Sequence, residues 1–194
     1  MNVAIFVYAG AEVLDFSGPF EVFSTASRVS ADADPFNAFI VAETADPVVA
    51  RAGYTVLPHY AMSDHPDIDL LLIAGGVHEP QMQRTPVIDW ISAQSKTATH
   101  VASVCTGAFL LAQAKVIETQ TVTTHWEDID DLQERFPALN VVRNRRWVED
   151  GPLTTSAGIS AGIDMSLHLV RRFADASLAT NTAMKMEYDW NDVA

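Results

Sequence analysis

The chain holds a single cysteine, Cys105, in 194 residues. No intramolecular disulfide can form, so a secreted disulfide scaffold is excluded and a reducing cytoplasm is the expected setting. Cations are scarce as well: 12 Lys and Arg stand against 25 Asp and Glu, a formal net charge of −13. Binding to a phosphate backbone needs clustered cations that release counterions. The only dense basic stretch, residues 143–146, is short and followed at once by Glu149 and Asp150. Nucleic acid is therefore not expected as a partner. Long apolar runs are missing too, since the run at 70–74 falls far short of the ~20 residues a spanning helix needs, and no membrane partner is expected. The N-terminus carries no basic residue ahead of its apolar segment and does not read as a signal peptide. The six histidines show no i, i+4 pairing and have no cysteine partners, so no metal site is expected. No glycine-rich phosphate loop occurs, and no cofactor is expected.

What is present is a chain 48% hydrophobic and 19% charged, a length that fits one domain over residues 1–194. A core of this size buries roughly 70% of the unfolded surface. Short apolar runs at 3–8, 37–42, 69–74, 100–104 and 153–156 read as strands. Between them, helical periodicity predicts helices beginning after Gly18-Pro19 (apolar positions Phe20, Val22, Phe23 and Ala26) and over 86–98 and 107–114. Further helices are predicted over 127–136, 163–173 and 176–186, and a small β excursion over 141–150 turns at Asp150-Gly151-Pro152. This alternation predicts an α/β fold, a mostly parallel sheet with helices on both faces. Chemistry in such sheets gathers at the carboxyl ends of the strands, which selects residues 9–18, 75–80, 105–107 and 156–162.

Cys105 follows a strand and opens a helix. Unpaired helix amides and the helix dipole there favour thiolate, so a lowered pKa is expected; a lone buried cysteine can equally be inert. Gly75-Gly76, ending the neighbouring strand, would aim its amides at the same place and complete an oxyanion hole with the amide after Cys105, or simply turn the chain. His78 and Glu79 lie just beyond, as rim or surface. Asp15, between Leu14 and Phe16, is exposed to partial burial that would raise its pKa and suit it to acid–base work; the alternative is a capping aspartate ahead of the Pro19 helix. Residues 158–162 match the G-x-S-x-G nucleophile elbow. The only later histidine, His168, lies with Asp164 in the helix that Ser160 opens, where neither can reach back to the seryl oxygen. Ser160 is therefore expected to cap the helix. His125-Trp126-Glu127 is similar to the His-x-Glu pair of cysteine-based glutaminases, but follows the cysteine by only 20 residues.

Taken together, residues 13–23 (Val-Leu-Asp-Phe-Ser-Gly-Pro-Phe-Glu-Val-Phe), Ala74-Gly75-Gly76, Ser103-Val104-Cys105-Thr106-Gly107-Ala108, Thr123-Thr124-His125-Trp126 and residues 155–164 resemble the ThiJ/PfpI superfamily, related to the class I glutamine amidotransferases. The resemblance runs from residue 2 to about 186. It implies a flavodoxin-like three-layer α/β/α sandwich. The branches it most resembles are isocyanide hydratases and the sensor half of AraC-type regulators; the latter carry a helix-turn-helix domain for which the chain leaves no room, which favours the hydratase branch. Thr106 stands where peptidase members carry histidine, which counts against proteolysis. Ala74 replaces a common proline, and Lys115 and Thr119 replace glycines, so Lys115 is expected to end its helix without one.

The hydratase resemblance implies Cys105 as nucleophile and Asp15 as proton donor and acceptor. It also implies that Thr106 and the Gly75, Gly76 and Val77 backbone hold the intermediate, with Ile159 as a pocket wall, in a homodimer acting on a small molecule. The alternatives are a non-catalytic small-molecule or redox sensor, and another superfamily activity on amides or glyoxal-type electrophiles.

Overall fold

A computed structural model describes residues 1–31 and 34–192. The apolar runs form the strands of a seven-stranded sheet. In chain order the elements are β1 (Asn2–Phe6), α1 (Val13–Val29), β2 (Asn37–Ala42), β3 (Val48–Val49), β4 (Thr55–Val56), β5 (Tyr60–Ala61), β6 (Leu70–Ile73), α2 (Glu79–Met82) and α3 (Thr85–Ser95). The second half continues with β7 (His100–Val104), α4 (Gly107–Gln113), β8 (Thr121–Val122), α5 (Ile129–Arg135), β9 (Asn140–Val141), β10 (Trp147–Asp150), β11 (Leu153–Ser156), α6 (Ala161–Phe173) and α7 (Ala176–Lys185). The sheet order is β10-β11-β7-β6-β1-β2-β5. Every pairing is parallel except the β10–β11 hairpin. β6 and β7 are buried along their whole length, as strands covered on both faces must be; β6 reads as an unbroken apolar run, while β7 buries His100 and Ser103 among its apolar residues. Helix α1 packs on α6 and α7, and α3 on α4. The small pairs β3–β4 and β8–β9 lie outside the main sheet. No helix of the described residues is long and apolar enough to cross a membrane.

Two local expectations change. Helix α1 starts at Val13, not after Gly18-Pro19, and Pro19 lies inside it. The proline lacks an N–H for the carbonyl four residues back, normally a break, but tertiary packing outweighs that loss. A Cβ on Gly18 would come within 2.9 Å of Ile163 Cγ1, so glycine lets α6 seat closely on this turn. Asp15 therefore belongs to the first helical turn rather than capping a later helix. At the end of α4, Lys115 itself takes the left-handed conformation, φ 56°. Lys115 N donates to Ala112 O (3.0 Å) and Val116 N to Leu111 O (2.9 Å), the double closure of a Schellman motif built without glycine.

Candidate active site

Four chain segments meet at the carboxyl end of the sheet. Asp15 arrives from α1, Gly75 from the turn after β6, Cys105 from the turn after β7, and Ile159 from the turn after β11. The sheet order β11-β7-β6-β1 makes these segments neighbours, although 144 residues separate the first from the last.

Cys105 sits at φ 56°, a left-handed backbone that a residue with a Cβ adopts at a cost of order 1–3 kcal/mol. The turn is fastened from outside: Cys105 N donates to Ser156 O (3.2 Å) and Ala157 O (3.3 Å), and Thr124 Oγ1 donates to Cys105 O (2.8 Å). The thiol is left 7% exposed at the floor of a cavity of about 300 Å³. Asp15 is fully buried beneath it. One carboxylate oxygen accepts from Gly75 N (3.2 Å) and the other from Ile159 N (3.2 Å), and the carboxyl lies beside the Cys105 side chain, close enough for each to shift the other's ionisation. Gly75 is required by space: a Cβ there would stand 2.7 Å from Asp15 Oδ2, 2.7 Å from Thr106 N and 2.8 Å from Cys105 Cβ.

Burial, then the charge of Glu12, raises Asp15 from 3.8 to about 7. For Cys105 the expected lowering is reversed. Burial first, and the Asp15 charge second, push the thiol well above its ordinary range, while the Thr106 amide facing the sulfur pulls the other way. The seven-residue α4 supplies too little to outweigh a carboxylate held against the sulfur. Thiol and carboxyl thus compete for one negative charge, and titrate as a pair.

A second correction concerns the backbone donors. Gly76 N donates to Thr106 Oγ1 (2.9 Å), Val77 N to Gly10 O (3.0 Å), and Gly75 N to Asp15. None of these amides is left to hold an oxyanion, so that role does not fall to them. Thr106 Oγ1 also donates to Gly76 O (3.0 Å), so one hydroxyl holds both the N–H and the C=O of Gly76. Its hydroxyl fixes the Gly75-Gly76 turn, and its amide is the group that meets the sulfur. Val77 and Ile159 line the cavity as partly exposed apolar walls.

His125 lines the same cavity as Cys105 and its ring packs against Gly158, where any Cβ would collide with it. Its Nδ1 faces Asp128 Oδ2 (3.3 Å) and Glu127 Oε2 (3.7 Å), and no hydrogen bond joins it to Cys105 among the described residues. Ser160 occupies the N-cap position of α6, but its side chain makes no capping bond there and accepts from Arg146 at 3.5 Å. Asp164 pairs with Arg146, and His168 with Glu149 at 2.7 Å, so no serine triad assembles. Among the described residues no group of three or more His, Cys, Asp or Glu is placed to hold a metal ion.

Sequence reasoning missed Glu12, Arg51 and Asp128, which also line the cavity, and placed His78 at a rim although it is buried. Glu12 carries a signal, being the charge just ahead of the Asp15 stretch. Arg51 carries none, since a short turn between β3 and β4 brings it over the site.

The model of the DJ-1/PfpI family matches residues 1–172. The isonitrile hydratase of Pseudomonas putida is 29% identical over 190 residues, 97% of this chain and 78% of that protein. The HTH-type transcriptional regulator CdhR of Pseudomonas aeruginosa is 30% identical over 175 residues, 90% of this chain, which spans about half (51%) of the regulator. Among solved structures, a ThiJ/PfpI family protein from Pseudomonas syringae superposes with a TM-score of 0.87 at 27% identity, covering 98% of this chain and 76% of that one. Drosophila melanogaster DJ-1beta, at 17% identity and a TM-score of 0.82 over 97% and 98% of the two chains, shares the fold.

Proposed function

This chain belongs to the DJ-1/PfpI family, and we propose that it hydrates an isocyanide, R–N≡C, to the N-substituted formamide, with Cys105 as nucleophile and Asp15 as acid and base. The observation that carries the reading is the Asp15–Cys105 pair: a thiol beside a fully buried carboxyl raised to about 7, itself oriented by two amides.

The thiol proton passes to the Asp15 carboxylate as sulfur bonds the terminal isocyanide carbon. Asp15 then returns that proton to the same carbon, giving the thioimidate R–N=CH–S–Cys105. A carboxyl near neutrality is a stronger base toward the raised thiol than one at its ordinary pKa, so the uphill transfer from sulfur costs less, and it still gives the proton back to the more basic carbon. Water next adds to the thioimidate carbon, with Asp15 taking one of its protons and the imidate nitrogen gaining the other. Collapse of the adduct expels sulfur, which regains its proton from Asp15, and releases R–NH–CHO. The Thr106 amide steadies the sulfur whenever it carries charge, and the Thr106 hydroxyl keeps the turn beneath it in place. The reading includes a homodimer in a reducing cytoplasm, where a lone thiol stays free.

Formamide production from alkyl and aryl isocyanides tests it, comparing the wild type with Cys105→Ala and Asp15→Ala. Loss of turnover in both variants is expected. Turnover surviving Asp15→Ala would move the proton to another group. No turnover by a wild type whose Cys105 is verified as reduced would favour a sensor instead, a reading supported by the match to a regulator across 90% of this chain. Oxidation of Cys105 alone would not separate the two.

A further inference from the structure

The cavity above Cys105 has an uneven charge. Glu12 and Arg51 line it, but they pair with each other at 3.2 Å and offset one another. Glu79, Glu127 and Asp128 line it too, and no Lys or Arg of the described residues forms an ion pair with any of them. Only His125 faces the last two, one imidazole against three carboxylates. In the same wall, His78 is 4% exposed and its Nε2 has no hydrogen-bond partner. A buried polar nitrogen without a partner costs free energy unless something arrives to bond it. Val77 and Ile159 add the small apolar surface that methylenes would touch.

We infer that this cavity selects small electrophiles that carry a cationic group, an ammonium or alkylammonium, over neutral and anionic ones of the same size. The inference rests on the reading of Cys105 as the reacting group and adds the substrate class. A concave site lined by one sign of charge focuses its field, and the local concentration of an opposite charge rises accordingly. The cation would sit among Glu79, Glu127 and Asp128 with its electrophilic end at the sulfur, and a polar hydrogen or lone pair near it would complete His78.

Because Cys105 is the only cysteine, methanethiosulfonate reagents report on this site alone: sulfur displaces methanesulfinate and forms a mixed disulfide. Rates with aminoethyl (cationic), methyl (neutral) and sulfonatoethyl (anionic) reagents, each divided by its rate with a free thiol, should fall in that order. The cation-to-anion ratio should be about tenfold or more at low salt and shrink as added salt screens the field. Glu127→Gln with Asp128→Asn should cut the ratio severalfold; any change in the thiol's own reactivity cancels in a ratio. Asp67→Asn with Glu118→Gln removes the same charge at the opposite end of the sheet and should leave the ratio unchanged. Equal normalised rates, a faster anion, a control pair that shifts the ratio equally, or no labelling by any reagent would each overturn the inference. In parallel, kcat/KM should be higher for 3-(dimethylamino)propyl isocyanide than for butyl isocyanide, and lowest for isocyanoacetate. Charge-ranked labelling without hydration of any isocyanide would defeat the hydratase reading alone, whereas hydration indifferent to charge in both assays would defeat this inference alone.

Discussion

The amide of Ile159 donates to Asp15 Oδ1 at 3.2 Å across a sequence separation of 144 residues. With Gly75 N on the other oxygen, it holds the carboxyl in one orientation under the sulfur. Ile159 reaches that position at φ 56°, the same left-handed backbone as Cys105. Two of the turns at the site are thus conformations that side-chain-bearing residues avoid, the one at Cys105 held by Ser156 O, Ala157 O and Thr124 and the one at Ile159 by Asp15.

The raised Asp15 carboxyl predicts a stability profile of definite sign. Its folded pKa is about 7 against 3.8 for the free side chain, so between those values the folded state binds more protons than the unfolded one. Stability is then fullest below about pH 4 as far as this group is concerned, and falls as pH rises to about 7. The loss is on the order of 4 kcal/mol at most. Urea unfolding across pH 4–8 should show this decline in the wild type and a flatter profile in Asp15→Asn. Identical slopes would mean that Asp15 does not titrate with that shift.

Activity should follow the same pair. Transfer of the thiol proton needs Asp15 ionised, so kcat/KM for an isocyanide should rise with pH through about 7. Glu12→Gln removes the charge that adds to burial in raising Asp15, and should move that rise to lower pH without abolishing turnover. A profile unmoved by Glu12→Gln would dissociate the observed ionisation from Asp15.

Gly75→Ala adds one methyl where Asp15 Oδ2, Thr106 N and Cys105 Cβ all lie within 2.8 Å. Backbone on one side and a fixed carboxyl on the other leave no room to yield. The expected cost is about 1–3 kcal/mol of stability, and the added methyl should force the thiol and the carboxyl apart. Near-normal turnover in a folded Gly75→Ala protein would contradict this geometry.

Thr106→Val keeps the shape of the side chain but strips the hydrogen bonds from both the N–H and the C=O of Gly76. A loss of about 1–3 kcal/mol is expected from the unpaired groups, together with a lower kcat as the turn loosens beneath the sulfur. Thr106→Ser retains the hydroxyl and should recover most of both. Equal behaviour of the valine and serine variants, measured by thermal unfolding and turnover, would remove the clamp from the account.

Lys115→Gly offers a check remote from the chemistry. Lys115 holds φ 56° at the end of α4, and glycine adopts that backbone without a Cβ penalty. The substitution should stabilise by about 1 kcal/mol in urea unfolding and leave turnover unchanged.

The strands at 37–42, 100–104 and 153–156 were legible in the sequence to the residue, because β-branched and apolar runs bounded by turn residues have few other uses in a chain of this length. The same runs placed Asp15, Gly75, Cys105 and Ile159 near strand ends. The start of α1 was not legible: Gly18-Pro19 reads locally as a break, and only the close seating of Ile163 on Gly18 makes a continuous helix the better solution. Nor could the sequence assign the amides of Gly76 and Val77, whose partners come from Thr106 and Gly10 in other segments.

By itself, then, the sequence determined the α/β alternation, the absence of disulfide, and which four turns hold chemistry-bearing residues, since each depends on local pattern and composition. Tertiary structure alone decided the ionisation of the site. A helix N-terminus argues for a lowered thiol pKa at Cys105, but burial and a carboxyl brought from residue 15 push it upward. Charge interactions depend on distance and dielectric through space, and neither quantity is written in the order of residues along the chain.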